Sequence, residues 1–149
     1  MIHYMEKICT SQEETQALAR EIISSLNKSD THATILALQG DLGSGKTTFT
    51  KYIAEALGIR DVVTSPTFVI LKIYDLEDQS YDRLIHIDAY RLAGGEEMEA
   101  LGWESLSKDG SNLIVIEWPE NVGDVIPSTA HTIQFETIDE TSRKISYEE

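Results

Sequence analysis

Short apolar runs alternate along the chain with segments whose apolar residues recur at helical spacing. Residues 34–38, 84–88 and 113–117 are mostly apolar without strict alternation, which predicts strands buried on both faces of a sheet. Residues 12–26 and 48–57 place apolar side chains three and four positions apart, which predicts amphipathic helices. This order of elements predicts an α/β fold with a central mixed sheet flanked by helices.

The remaining segments extend this pattern at both ends of the chain. Residues 3–9 predict a first strand, residues 68–76 another, and residues 95–106 a helix of mixed character. Residues 131–138 and 142–147 alternate on either side of an acidic turn, which predicts a hairpin close to the end of the sequence.

The sequence Gly40–Thr47, GDLGSGKT, fills every fixed position of the phosphate-binding loop pattern G-x-x-x-x-G-K-[ST]. Such a glycine-rich turn directs backbone N–H groups at phosphate oxygens, and the following helix adds its positive N-terminal end. We expect Lys46 to bind the β- and γ-phosphates and Thr47 to offer its hydroxyl to Mg²⁺. The residues predicted to bind the nucleotide here are Gly40, Asp41, Leu42, Gly43, Ser44, Gly45, Lys46, Thr47 and Thr48.

A phosphate loop that acts on its ligand also needs carboxylates near the metal, and two apolar runs end in one. Asp88 closes the run 84–88 and Glu117 closes the run 113–117. Spacing alone leaves open which of the two lies on the metal side and which orients an attacking water molecule. Ser65–Thr67 follows a predicted strand, where a loop that senses the γ-phosphate could lie.

Composition restricts the class of protein. A length of 149 residues fits one domain, which we expect to span residues 1–149, and 41% hydrophobic residues suffice for a normal core. No run approaches the roughly 20 apolar residues of a membrane span, and the first residues do not form a signal peptide. With a single cysteine, Cys9, no internal disulfide can form, so we expect a cytoplasmic protein without a membrane partner.

The formal net charge of −14 argues against a large nucleic-acid surface on this chain. Its 12 lysines and arginines are scattered, whereas phosphate-backbone binding depends on clustered cations. If the protein serves a nucleic-acid pathway, another subunit is expected to hold the nucleic acid.

Five motifs occur in a fixed order: GDLGSGKTT from residue 40, TSPTF from residue 64, HIDAYR from residue 86, LGWESL from residue 101 and IEWPE from residue 116. Together they resemble the TsaE family, also called the YjeE family, over about residues 10–140. The phosphate loop alone is shared by very many proteins, whereas its combination with TSPTF, HIDAYR and EWPE is much more specific.

The resemblance implies a three-layer α/β sandwich of the P-loop NTPase type that binds ATP and Mg²⁺ and hydrolyses ATP weakly on its own. The residue roles that it implies are phosphate binding by Lys46, metal binding by Thr47 and Glu117, hydrolysis through Asp88, a switch-loop position for Thr67, and a place near the nucleotide for Trp118.

The resemblance also implies a pathway and partners. Proteins of this family act with TsaB and TsaD to install threonylcarbamoyl on adenosine 37 of tRNA, and ATP is thought to reset that complex between cycles. Contact with tRNA would then be indirect, through the complex, which agrees with the acidic composition.

Two other functions remain open from the residues. A small-molecule kinase shares the phosphate loop but usually carries a lid with several arginines, and a nucleotide sensor would bind without hydrolysis. The five arginines are dispersed along the chain: Arg20, Arg60, Arg83, Arg91 and Arg143.

Overall fold

The computed structural model describes residues 4–60 and 70–148. Within these residues, seven strands form one sheet: β1 (Tyr4–Cys9), β2 (Thr34–Gly40), β3 (Leu71–Asp75), β4 (Arg83–Asp88), β5 (Asn112–Glu117), β6 (His131–Thr137) and β7 (Arg143–Glu148). The helices are α1 (Gln12–Ser25), α2 (Lys46–Ala56), α3 (Gly95–Ala100) and α4 (Trp103–Ser107), and a 3-10 turn spans Pro119–Val122.

The sheet is parallel in its centre and antiparallel at its edges. The strand order is β1-β7-β6-β2-β5-β4-β3, in which β6, β2, β5 and β4 are mutually parallel and the outer pairs antiparallel. The carboxyl ends of the parallel strands therefore meet at one edge of the sheet, where α/β proteins bind their ligands. The predicted mixed sheet and the hairpin of β6 and β7 are confirmed.

Helices cover both faces of the sheet, so the fold has three layers. On one face, Leu18 of α1 and Phe49 and Ile53 of α2 pack into a core with side chains of β2, β5, β6 and β7. On the other face, Met98 of α3 and Trp103 of α4 pack against β2, β4 and β5. The predicted three-layer α/β sandwich is confirmed.

Local sequence explains where the first helix begins. The Ser11 side chain accepts a hydrogen bond of 3.2 Å from the Glu14 backbone N–H, as an N-cap residue does. The Glu14 carboxylate in turn accepts from the Thr10 hydroxyl at 2.8 Å and from its backbone N–H at 3.3 Å. Ser11 therefore caps the helix, while the Glu14 carboxylate bonds to Thr10, the residue before the cap.

Two predicted elements differ from those found. The predicted helix 95–106 is interrupted at Gly102, which adopts φ 86° and separates α3 from α4. The predicted strand 68–76 is shorter, because Ile70 adopts φ 68° and β3 begins only at Leu71. Residues 68 and 69 lie outside the described residues.

Among the described residues, no helix combines the length and the apolar character that crossing a lipid bilayer requires.

Candidate nucleotide-binding site

The phosphate loop connects the end of β2 to the start of α2 and depends on glycine at two points. A Cβ on Gly40 would lie 2.6 Å from the Ser44 Oγ and 2.8 Å from the Phe135 carbonyl oxygen, so only glycine fits there. Gly45 adopts φ 105°, a left-handed conformation that costs glycine little, and the helix begins at the next residue. The loop thus places Lys46 and Thr47 in the first turn of α2.

Lys46 is buried inside the loop, with only 4% of its surface exposed. Its Nζ donates a 2.7 Å hydrogen bond to the Gly40 carbonyl and lies 3.4 Å from the centre of the Trp118 ring, a cation–π contact. Burial lowers the pKa of Lys46, while the nearby carboxylates, Glu117 foremost, raise it. A phosphate group bound beside Lys46 would raise its pKa, as the carboxylates do.

Glu117, at the end of β5, contacts the helix and the neighbouring strand with different oxygens. Its Oε1 accepts a 3.0 Å hydrogen bond from the Thr47 hydroxyl, and its Oε2 lies 2.6 Å from His86 Nε2. The carboxylate accepts hydrogen bonds only, so Nε2 carries the proton that joins it to Oε2. Glu117 is thereby fixed beside the hydroxyl predicted to bind magnesium.

Asp88 ends the neighbouring strand at the same level as Glu117. The two residues are directly paired in the register of β4 and β5, and both are buried at the carboxyl edge of the sheet. The Asp88 Oδ1 accepts a 3.0 Å hydrogen bond from the Tyr90 backbone N–H, which orients the carboxylate. The sequence left open which acid lies on the metal side; in the structure, Glu117 is the one bonded to Thr47.

Trp118 follows Glu117, and its side chain contacts the lysine of the phosphate loop. It adopts φ 60° and ψ 48°, a left-handed conformation that is costly for a bulky residue and often found at functional sites. Its ring contacts both the Lys46 ammonium and the Tyr90 ring, whose centre is 5.1 Å away. The Asn121 side-chain amide donates to the Ala89 and Tyr90 carbonyls, at 3.0 and 3.1 Å, and so ties this turn to the end of β4.

Two adjoining cavities open around the loop. The phosphate cavity, of about 350 Å³, is lined by loop residues together with Asp88, Tyr90, Glu117, Trp118 and Arg143. The second cavity, also of about 350 Å³, is lined partly by Ser11, Tyr52, Phe135, Glu140 and Ile145. We call it the nucleoside cavity, because Tyr52, Phe135 and Ile145 give its otherwise polar lining an apolar surface that suits a base. Gly45, Thr48 and Arg143 border both.

Most of the side chains chosen from the sequence lie around one cavity. Lys46, Thr47, Thr48, Asp88, Glu117 and Trp118 line the phosphate cavity with Leu42, Gly43 and Gly45, while Gly40 and Ser44 shape the loop behind it. Asp41 lies in the loop and is exposed. Thr67 lies outside the described residues, so its predicted switch role stays a prediction.

Sequence reasoning missed three residues near this cavity. Tyr90 carries no signal of its own within HIDAYR, and nothing in the sequence indicates that the buried His86 contacts Glu117. Arg143 was counted among dispersed arginines, because its approach to the loop depends on the pairing of β6 and β7.

Comparison with known proteins identifies the relatives of this chain. Residues 9–145 match the family model described as "Threonylcarbamoyl adenosine biosynthesis protein TsaE". The tRNA threonylcarbamoyladenosine biosynthesis protein TsaE of Bacillus subtilis is 36% identical over 135 residues, covering 91% of this chain and 79% of the relative. The protein of the same name from Aquifex aeolicus is 34% identical over 144 residues, covering 94% and 92%.

A solved structure shares the fold. The crystal structure of Bacillus subtilis YdiB superposes with a TM-score of 0.73 at 28% sequence identity, covering 99% of this chain and 86% of that one.

Proposed function

This chain belongs to the TsaE family, and from that premise we propose that it is a magnesium-dependent ATPase that assists the synthesis of threonylcarbamoyladenosine in tRNA. The names of its relatives supply the pathway. The arrangement of its own side chains supports the nucleotide chemistry.

The observation that carries the ATPase proposal is the meeting of Thr47 and Glu117. A helix-borne hydroxyl and a strand-end carboxylate, joined at 3.0 Å, lie beside a buried lysine and a loop of backbone N–H groups. A nucleoside triphosphate needs this combination, because the loop and the lysine bind phosphate oxygens while the hydroxyl and carboxylate suit a hard cation. Binding of a nucleoside or a simple anion alone does not require a hydroxyl and a carboxylate placed to hold a cation.

The donor set fits magnesium. Within residues 4–60 and 70–148, no group of three or more His, Cys, Asp or Glu side chains is arranged to hold a metal. Magnesium in phosphate-loop proteins takes one or two protein oxygens and the rest from phosphate and water, so Thr47 and Glu117 suffice as its protein ligands. When bound, the ion would neutralise phosphate charge during transfer.

The side chains divide the remaining work of hydrolysis. Lys46 binds phosphate oxygens from a buried position, where its charge acts at low dielectric. Asp88 orients the water that attacks the γ-phosphate, since the backbone N–H of Tyr90 fixes its carboxylate at the end of β4. The nucleoside cavity receives the adenine ring among Tyr52, Phe135 and Ile145.

The proposed partners are TsaB and TsaD, and the proposed location is the cytoplasm, where tRNA is modified. Hydrolysis would reset the partner complex between catalytic cycles. The acidic chain would contact these proteins far more than the tRNA itself.

Phosphate release from ATP, measured with the purified protein alone and with TsaB and TsaD added, tests this function. We expect weak release alone, a clear increase with the pair, and loss of at least about tenfold in Glu117→Gln, because the amide no longer binds the cation as a carboxylate does. The matched control is Glu120→Gln, which removes the same charge from an exposed position in the 3-10 turn that follows β5.

Four results would contradict the proposal in different ways. Release that does not respond to the pair would separate this protein from that complex. Equal release by Glu117→Gln and Glu120→Gln would remove Glu117 from the site. Transfer of phosphate to a metabolite instead of water would favour the kinase alternative, and binding without any release would favour a nucleotide sensor.

A further inference from the structure

Arg143 brings a second cation to the phosphate loop. It is the first residue of β7, and it borders both the phosphate cavity and the nucleoside cavity. Among the described residues, the other arginines line neither cavity. Its position therefore corresponds to the junction between the two.

The register of the sheet explains this position. Side chains two and four residues apart in a strand lie on the same face, so Arg143 shares its face of β7 with Ile145 and Tyr147. Both of these side chains are buried in the core beneath α1 and α2. The arginine therefore points to the sheet face that carries the phosphate loop, at the edge where the parallel strands end. Lys144, one residue along, points to the opposite face, where it lies 3.5 Å from Glu6.

The guanidinium is held in place by the hairpin. Its Nη1 donates to the Asp139 carbonyl at 2.7 Å and to the Ser142 carbonyl at 3.0 Å. Within residues 4–60 and 70–148, these backbone contacts are its hydrogen bonds, and it forms no ion pair with a carboxylate. Its guanidinium is therefore not held by a carboxylate, and a planar fork fixed through one nitrogen can still donate from the others.

The charge balance of the site calls for such a cation. Four carboxylates, Glu117, Glu120, Asp88 and Asp41, act on the single buried ammonium of Lys46. A nucleotide that brings its own negative charge into this acidic setting needs further positive charge along its phosphate chain. The exposed Glu140 on the nucleoside cavity would repel phosphates, which favours the nucleoside there and the phosphates on the side of the loop.

We propose that Arg143 binds the α-phosphate of the nucleotide, where the phosphate chain leaves the loop and the nucleoside begins. This inference rests on the proposed nucleotide-binding function. It adds a residue far along the chain that sets how tightly ATP and ADP are bound.

Calorimetric titration of the intact protein with ATP and with ADP tests the proposal. We expect Arg143→Gln to lower the affinity for ATP and for ADP by the same factor, about tenfold or more, as loss of a charge-assisted hydrogen bond predicts. Lys144→Gln, with the same change on the other face of the same strand, should stay within about twofold of the wild type. Arg143→Lys keeps the charge without the planar fork, so its nucleotide affinity should lie between those of Arg143→Gln and Lys144→Gln.

A measurement on the unmodified chain guards against loss of folding in Arg143→Gln. The side-chain ¹⁵Nε–Hε signal of Arg143, assigned from its disappearance in Arg143→Lys, should shift when ADP is added. An unmoved signal, or equal binding by Arg143→Gln and Lys144→Gln, overturns the proposal. A larger loss for ATP than for ADP would move the contact to the γ-phosphate and overturn the assignment to the α-phosphate. Absence of ATP binding by the wild type would instead contradict the proposed function.

Discussion

At the scale of single residues, the two oxygens of Glu117 have different partners. One oxygen accepts from Thr47, which is expected to share a cation with it, and the other meets His86 beneath the sheet edge. His86 is fully buried, and its Nδ1 has no hydrogen-bond partner among the described residues. A buried polar atom without a partner is costly, so the contact with Glu117 is the feature that justifies a histidine at this position.

His86 is therefore a positioning residue. Its removal should change the magnesium dependence of nucleotide binding more than it changes binding without magnesium. We expect His86→Leu to leave one oxygen of Glu117 buried without a donor, at a cost of about 1–3 kcal/mol in stability. The Mg²⁺ concentration that gives half-maximal nucleotide binding should rise, while binding without Mg²⁺ changes little. Titration of nucleotide binding against Mg²⁺, together with thermal unfolding, measures both effects.

The conservative variant separates positioning from packing. Glutamine can place an amide N–H close to the position of His86 Nε2, so His86→Gln should restore most of the magnesium dependence. If His86→Gln and His86→Leu shift the magnesium requirement equally, or neither shifts it, the histidine only fills space.

At the scale of elements, one glycine determines that α3 and α4 are separate helices. Gly102 adopts φ 86°, and a Cβ there would meet no heavy atom within 4 Å, so any cost of alanine comes from the backbone alone. We expect Gly102→Ala to lower stability by about 1–2 kcal/mol, the cost of a left-handed residue with a side chain. Thermal or denaturant unfolding measures the change.

Gly94 provides the matched control for that substitution. Its φ of 174° is extended backbone that alanine adopts, and the space around it is likewise open. Gly94→Ala should therefore leave stability unchanged or raise it slightly, by reducing the freedom of the unfolded chain. Equal losses from both substitutions would mean that packing, and not backbone conformation, governs this segment.

The elements also show which parts of the site a sequence can predict. The loop, its lysine and the two acids that end β4 and β5 follow from local patterns, because a motif or an apolar run marks each one. The proposal that Glu117 lies on the metal side rests on its contact with Thr47, which no spacing encodes. Arg143 could not be found, because its place beside the loop follows from strand order and side-chain alternation across the sheet.

At the scale of the whole molecule, charge decides which partners the protein can meet directly. The chain has 26 acidic and 12 basic residues, so its field repels the phosphate backbone of tRNA. We expect no saturable binding of labelled tRNA by the isolated protein at a salt concentration of about 0.15 M, measured by fluorescence anisotropy. Tight binding of tRNA under these conditions would contradict an indirect role.

The position of Trp118 has an experimental consequence. Its indole lies against the Lys46 ammonium, at the place where a phosphate would enter, whereas Trp103 is buried in α4 and its Nε1 donates a hydrogen bond to the Val125 carbonyl. The chain has two tryptophans, and Trp118 is the one whose indole an entering phosphate would meet directly. The protein thus contains an optical reporter beside its proposed phosphate site and needs no attached dye.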